Sequence, residues 1–109
     1  MVTASHRHSD AVFKAIADPT RRRILGLLRS GDRTVGEIAS HFPTSRPAIS
    51  KHLRLLRSAG LIAAQKKGTT RFCALNAAPL ESIDAWLRDY QSLWADNLSN
   101  LKSYLEDHS

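Results

Sequence analysis

The stretch from Thr34 to Arg57, TVGEIASHFPTSRPAISKHLRLLR, constrains the fold more than any other part of the chain. Thr34 and Glu37 form a T-x-x-E capping box that opens a short helix on Val35, Ile38, Ala39 and Phe42. Pro43-Thr44 breaks that helix. Ser45 then caps a second one, with Pro47 tolerated in its first turn. On a helical wheel Ile49, Leu53 and Leu56 form an apolar stripe, while Pro47, Ser50, Lys51 and Arg54 fall on the opposite side. Two short helices around a tight turn, the second with an apolar back and a hydroxyl and cationic front, fit a helix-turn-helix. The second helix of that motif enters the DNA major groove.

The flanking sequence supplies the rest of a small domain. Ser9 or Asp10 can cap a first helix with Val12, Phe13, Ile16 and Ala17 on its apolar face. Asp18-Pro19-Thr20 ends it and starts the next, with Asp18 as N-cap and Pro19 as first helical residue. That second helix carries Ile24, Leu25, Leu27 and Leu28 and stops near Ser30-Gly31-Asp32. Gly60 terminates the reading helix in the left-handed conformation. Strands over Leu61–Gln65 and Arg71–Leu75, joined by a polar turn over residues 66–70, make a β-hairpin. The expected fold class is therefore mainly α with a small β-hairpin: a winged helix-turn-helix in the order α-α-α-α-β-β-α. Residues 1–8 read as a disordered tail and residues 9–106 as one domain.

From about residue 79 to 106 a single helical pattern runs through Leu80, Ile83, Leu87, Tyr90, Trp94, Leu98, Leu101 and Leu105, widened by Trp86, Leu93 and Tyr104. A helix of this length outspans the domain before it, and its broad apolar face has to be covered. A homodimer covers it, through Val12, Phe13 and Ile16 of the first helix with Leu87, Tyr90, Trp94, Leu98, Leu101 and Leu105 of the last. The alternative is a stripe folded back entirely on its own domain.

Charge is distributed unevenly. Residues 1–71 hold 14 Lys+Arg against 4 Asp+Glu, whereas residues 72–109 hold 2 against 6. The motif thus lies in a strongly basic block, suited to displacing counterions from phosphates, and the tail is mildly acidic. Arg46, at the helix start, is the candidate for bidentate contact to guanine, with Ser45 beside it. Ser50 is placed for a base edge or a phosphate; Lys51 and Arg54 grip the backbone. His52 lies at the border of the buried face, where it packs within the domain or touches a phosphate. On the wing, Lys66, Lys67, Thr69, Thr70 and Arg71 flank the adjacent minor groove or its phosphates. Of Arg21, Arg22 and Arg23, one is expected to pair with a local carboxylate such as Asp18 and another to face phosphate.

These residues resemble the ArsR/SmtB family of bacterial transcriptional repressors. The likeness rests on Asp18-Pro-Thr-Arg-Arg-Arg-Ile-Leu25, Val35-Gly-Glu-Ile-Ala39, Ser45-Arg-Pro-Ala-Ile-Ser-Lys-His-Leu53 and Ala59-Gly-Leu61, within roughly residues 10–106. It implies a winged-helix homodimer that binds a short inverted repeat of double-stranded DNA and blocks transcription. Many members of the family release DNA when a metal binds, and here the resemblance breaks. The stretch Glu37-Ile-Ala-Ser-His41, where thiolate sensors place their pair, has no cysteine. The zinc-type ligand positions hold Asp84, Trp86, Asn97 and Asn100, of which only Asp84 is chemically competent. No metal site and no cofactor are expected, and the chain looks most like members that repress their own operon without a metal.

Other classes fit the sequence less well. No apolar run approaches the ~20 residues that span a bilayer, and the first residues, from Met1, lack the apolar stretch of a secretion signal. The single cysteine, Cys73, permits no internal disulfide and suits a reducing cytoplasm. No phosphate loop, spaced nucleophile and base, or metal-hydrolase signature points to an enzyme. A metal- or thiol-responsive repressor would need a non-standard site built on His6, His8, His41, His108 or Cys73. A winged-helix protein-interaction module predicts a neutral or acidic reading face, and Arg46, Lys51 and Arg54 argue against it.

Overall fold

Proline and the caps set the corners of this chain. A computed structural model describes the backbone of residues 4–107 and the side chains of residues 9–107. Helix α1 spans Ala4–Ile16 and α2 spans Pro19–Leu28. At the corner between them the Asp18 side chain accepts from the Arg21 backbone N–H at 3.0 Å, as the sequence predicts for an N-cap before Pro19. Helix α3 (Val35–Ala39) carries the complete capping box: Thr34 Oγ1 accepts from Glu37 N–H, and Thr34 N–H donates to the Glu37 carboxylate, both at 3.1 Å. Ser45 caps α4 (Arg46–Ser58) by accepting from Ala48 N–H at 3.3 Å.

Helix α1 starts earlier than expected. Ser9 and Asp10 lie inside it rather than capping it, and the backbone of the supposed tail is helical from Ala4 onward. The segment contains no Gly or Pro, so a helix nucleated at Val12–Ile16 extends backward at one hydrogen bond per residue fixed.

Gly60 ends α4 with φ +78°, donating to Arg57 C=O at 2.9 Å while Leu61 N–H reaches Leu56 C=O at 3.0 Å. This paired arrangement satisfies the carbonyls that the helix end would otherwise leave open. Strands β1 (Ile62–Lys67) and β2 (Thr70–Leu75) follow, antiparallel, in a register that pairs Ile62 with Leu75 and Lys67 with Thr70. The hairpin is therefore longer than its sequence suggests, and Lys66 and Lys67 belong to a strand. A two-residue turn, Gly68-Thr69, closes it, with only Gly68 at positive φ (+64°), the arrangement of a type II′ turn. On its other edge β2 is held by the α2–α3 link: Arg33 N–H donates to Cys73 C=O at 3.1 Å and Cys73 N–H to Arg33 C=O at 2.7 Å.

The core gathers one face from each element: Val12 and Ala15 of α1, Ile24, Leu25 and Leu28 of α2, Ile38 of α3, and Ile49, Leu53 and Leu56 of α4. The α4 stripe is the one read from the wheel. Its three residues are at most 2% exposed, which stabilises the fold by roughly 1.5–3 kcal/mol each. Val12 is fully buried here, so it belongs to the protomer core and has no surface left for a partner chain.

A 3-10 turn (Ala78–Leu80) leads into α5 (Glu81–Asp107), 27 residues long. Its first turns pack back: Leu80 and Ile83 lie against the core, and Trp86 meets the Phe13 ring edge-on at 5.4 Å. Every residue from Arg88 to Asp107 is exposed, Leu98 by 65%. The stripe thus does not fold back on its own domain, and the projecting helix stretches the molecule to 61 × 43 × 25 Å. No helix among the described residues is long and apolar enough to cross a membrane.

Candidate nucleic-acid interface

Because Ile49, Leu53 and Leu56 point inward, the opposite side of α4 points out. Arg46, Pro47, Lys51 and Arg54 are exposed; Ser50 is half-buried at the edge of that face. Ser45 spends a lone pair on the cap, which leaves its O–H free to donate outward. Arg46 is the first residue of the helix, and a Cβ placed on Gly36 would lie 4.0 Å from its Nη1, so the guanidinium rests over the start of α3.

Two groups of cations differ in what they touch. Arg21 donates through Nε to Ala15 C=O at 2.6 Å and through Nη2 to Lys14 C=O at 2.9 Å. Arg22 Nη1 donates to Ile16 and Ala17 C=O at 2.8 and 3.1 Å. Between them they satisfy carbonyls that the end of α1 leaves open, a favourable place for positive charge. Arg23 lies over the Phe42 ring at 5.0 Å. None of the three closes an ion pair with Asp18 among the described residues, contrary to the expected pairing. The chain offers α1 carbonyls instead, a role that a run of arginines just past a helix end signals.

The second group is unengaged. Arg46, Lys51, Arg54, Lys66 and Arg71 are exposed and, among the described residues, make no hydrogen bond or ion pair within the protomer. Lys66 and Arg71 are direct cross-strand partners and share one face of the wing. Lys67 faces the other way, 3.4 Å from the Asp32 carboxylate and 5.4 Å from the Phe72 ring centre, so it fastens the wing to the domain. Thr69 sits exposed at the turn. Two cations against each other at a hairpin tip repel unless an anion is added.

His52 takes the intradomain position, with Nδ1 3.2 Å from Arg21 Nη1 and 3.9 Å from Asp18 Oδ2. The Asp18 carboxyl is held below its ordinary range, first by the Arg21 backbone N–H and then by the electrostatic influence of His52 and Arg21 beside it; Glu37 is lowered by its bonds to Thr34. Burial pushes the Cys73 thiol up, making it a poor thiolate. At the sensor-like positions, Asp84 is paired with Arg88 at 3.0 Å and Trp86 sits between the Phe13 ring, met edge-on, and the tilted Tyr90 ring. His41 Nδ1 is bonded to the Glu37 carbonyl at 2.8 Å. The side chains of His6 and His8, and all of His108, lie outside the described residues.

Comparison with known proteins agrees with this geometry. The profile of the arsR family of bacterial regulatory proteins matches residues 18–64. The transcriptional repressor SdpR of Bacillus subtilis (strain 168) is 47% identical over 79 residues, 72% of this chain and 88% of SdpR. A crystal structure of the ArsR family transcriptional regulator RHA00566 superposes with a TM-score of 0.73 at 38% identity, covering 87% of this chain and 97% of that one. The homodimeric winged helix-turn-helix DNA-binding domain of Mb0332 from Mycobacterium bovis, a possible ArsR-family regulator, gives 0.60 at 28% identity over 86% of this chain and 84% of that one. The chain therefore belongs to the arsR family of bacterial transcriptional regulators.

Proposed function

We propose that this chain is a homodimeric repressor that binds an inverted repeat in double-stranded DNA and controls its own or a neighbouring operon. The observation that carries the reading is the set of unengaged cations on α4 and the wing, beside Arg21, Arg22 and Arg23, which are consumed by the domain's own structure. Arg46 reads guanine, Ser45 and Ser50 supply hydroxyl contacts, and Lys51, Arg54, Lys66 and Arg71 neutralise phosphates. Thr69 and Pro47 complete the contact surface. Lys67 contributes by holding the wing in place. Dimerisation uses the half-buried Phe13 and Ile16 of α1 and Leu87 of α5, with Tyr90, Trp94, Leu98, Leu101 and Leu105, whose apolar surface is open on α5. The repressor role is supported by the 47% identity to SdpR, and the dimer by the homodimeric state of Mb0332.

The same reading makes the protein a cytoplasmic DNA-binding regulator without catalytic activity, and one whose switch is neither a thiolate pair nor a zinc site. Asp84 is committed to Arg88, and its companions Trp86, Asn97 and Asn100 offer no second strong ligand. Selection of bound fragments from random duplex DNA tests the proposal. It is expected to return a palindrome with half-sites about one helical turn, ~34 Å, apart; a pool with no enriched motif would refute it.

A further inference from the structure

His52 lies on α4 between the buried stripe and the outward face, with its side chain 20% exposed. Its Nδ1 is 3.2 Å from Arg21 Nη1. A guanidinium carries donors only, so Nδ1 must present its lone pair there. Asp18 Oδ2 is 3.9 Å from the same nitrogen, beyond hydrogen-bond reach, and does not hold a proton on it. Arg21 is not free to swing away, because Nε and Nη2 are tied to Ala15 and Lys14 carbonyls at 2.6 and 2.9 Å. A neutral imidazole that accepts on Nδ1 carries its proton on Nε2. Among the described residues no side-chain nitrogen or oxygen is both buried and unpartnered. Nε2 of His52 has no partner among the described residues, so it opens to solvent.

We infer that Arg21 is a positioning residue: it fixes the His52 ring with its proton on Nε2, aimed outward from α4 as a donor to a backbone phosphate of bound DNA. The inference rests on the docking of α4 on a duplex. Phosphate rather than a base edge is the acceptor, because His52 lies to the side of the face that presents Lys51 and Arg54. The same guanidinium grips the last carbonyls of α1, the helix that carries Phe13 against Trp86 of α5. One side chain therefore joins the end of α1 to a group on the DNA-facing helix.

Two variants separate the ring nitrogens. His52→Gln keeps an N–H donor near the Nε2 position, whereas His52→Asn places its amide near Nδ1 and has no outward donor. Fluorescence anisotropy at pH 8, on a duplex selected by the wild-type protein and on a random duplex, reads the difference. His52→Asn is expected to bind about tenfold or more weakly on both, the loss of a hydrogen bond to a charged acceptor. Its salt slope stays unchanged, since a neutral donor displaces no counterion, and His52→Gln stays near wild type. Long-range proton–nitrogen NMR of the free protein is expected to show His52 protonated on Nε2, and Arg21→Met to mix the two tautomers. Equal binding by His52→Asn and wild type, with Arg54→Ala still weakened, would overturn the phosphate contact alone. A proton on Nδ1 would overturn the role of Arg21. A wild-type protein that binds no duplex would defeat the contact and the underlying DNA reading together, leaving the tautomer spectrum to judge Arg21.

Discussion

Trp94→Glu puts the assignment of α5 at risk. Trp94 is 47% exposed in the single chain and makes no ring contact within it among the described residues. A tryptophan side chain buries up to about 250 Å², so about 120 Å² of Trp94 is open to a partner. Covering that area at ~25 cal/mol/Å² contributes about 3 kcal/mol per protomer, and a two-fold axis doubles it to about 6 kcal/mol. The variant loses this and buries two unpaired carboxylates besides, so its dimer dissociation constant should rise by at least about 10⁴-fold. Sedimentation equilibrium over a range of loading concentrations measures this directly. Asp96→Ala, a change on the polar side of the same helix, serves as the control and should leave the dimer intact. Far-ultraviolet circular dichroism of Trp94→Glu should retain the helical signal of the protomer core, to which Trp94 does not belong. A Trp94→Glu dimer within tenfold of wild-type affinity would refute the argument, because the exposed stripe would then have some other purpose.

Three further outcomes are expected. Arg46→Ala should cost about 1–3 kcal/mol per half-site on the selected DNA and relax preference at one base position; an equal loss on random DNA, read by anisotropy, would take Arg46 off the base edges. Lys66→Ala with Arg71→Ala should weaken all duplexes alike and reduce the salt slope of the dimer by roughly 3–4, whereas Lys67→Ala, which breaks the Asp32 contact, should change the slope much less. Asp18 and Glu37 have folded-state carboxyls held below their ordinary range, so their contribution is fully present above that range and is lost as pH falls through the depressed values. Urea unfolding between neutral pH and about 3 should show wild-type stability falling faster than that of Asp18→Asn/Glu37→Gln; parallel curves would detach the caps from the acid response.

Sequence reasoning succeeded where the determining chemistry is local. Asp18-Pro19, the Thr34/Glu37 box, Ser45 and Gly60 each act on backbone groups within a few residues, and each sits where its cap or turn predicts. The α4 stripe was legible for a similar reason, since three apolar residues at helical spacing leave one buried face. Tertiary partners were not legible. Arg21, Arg22 and Arg23 read as spare charge until α1 ends beside them with open carbonyls and Phe42 arrives from the α3–α4 turn. Lys66 and Lys67 look equivalent in a polar run, yet strand alternation sends them to opposite faces and Asp32 takes only one. Val12 fits the first helix's apolar stripe, but the stripe is wide and Val12 lies on the side that serves the core. The start of α1 was missed because a capping side chain is only one way to begin a helix.

As a dimeric operator reader, the protein lays a fixed set of unengaged cations from two copies of this domain on a duplex. Lys51, Arg54, Lys66 and Arg71 in each protomer make eight phosphate contacts per dimer on this account, for an expected slope of about −7 in a plot of log affinity against log salt. Titrating the selected inverted repeat across a range of salt concentrations measures that slope. A value near −7 is expected, and a slope close to zero, or no retention of any double-stranded oligonucleotide at low salt, would rule out this docking.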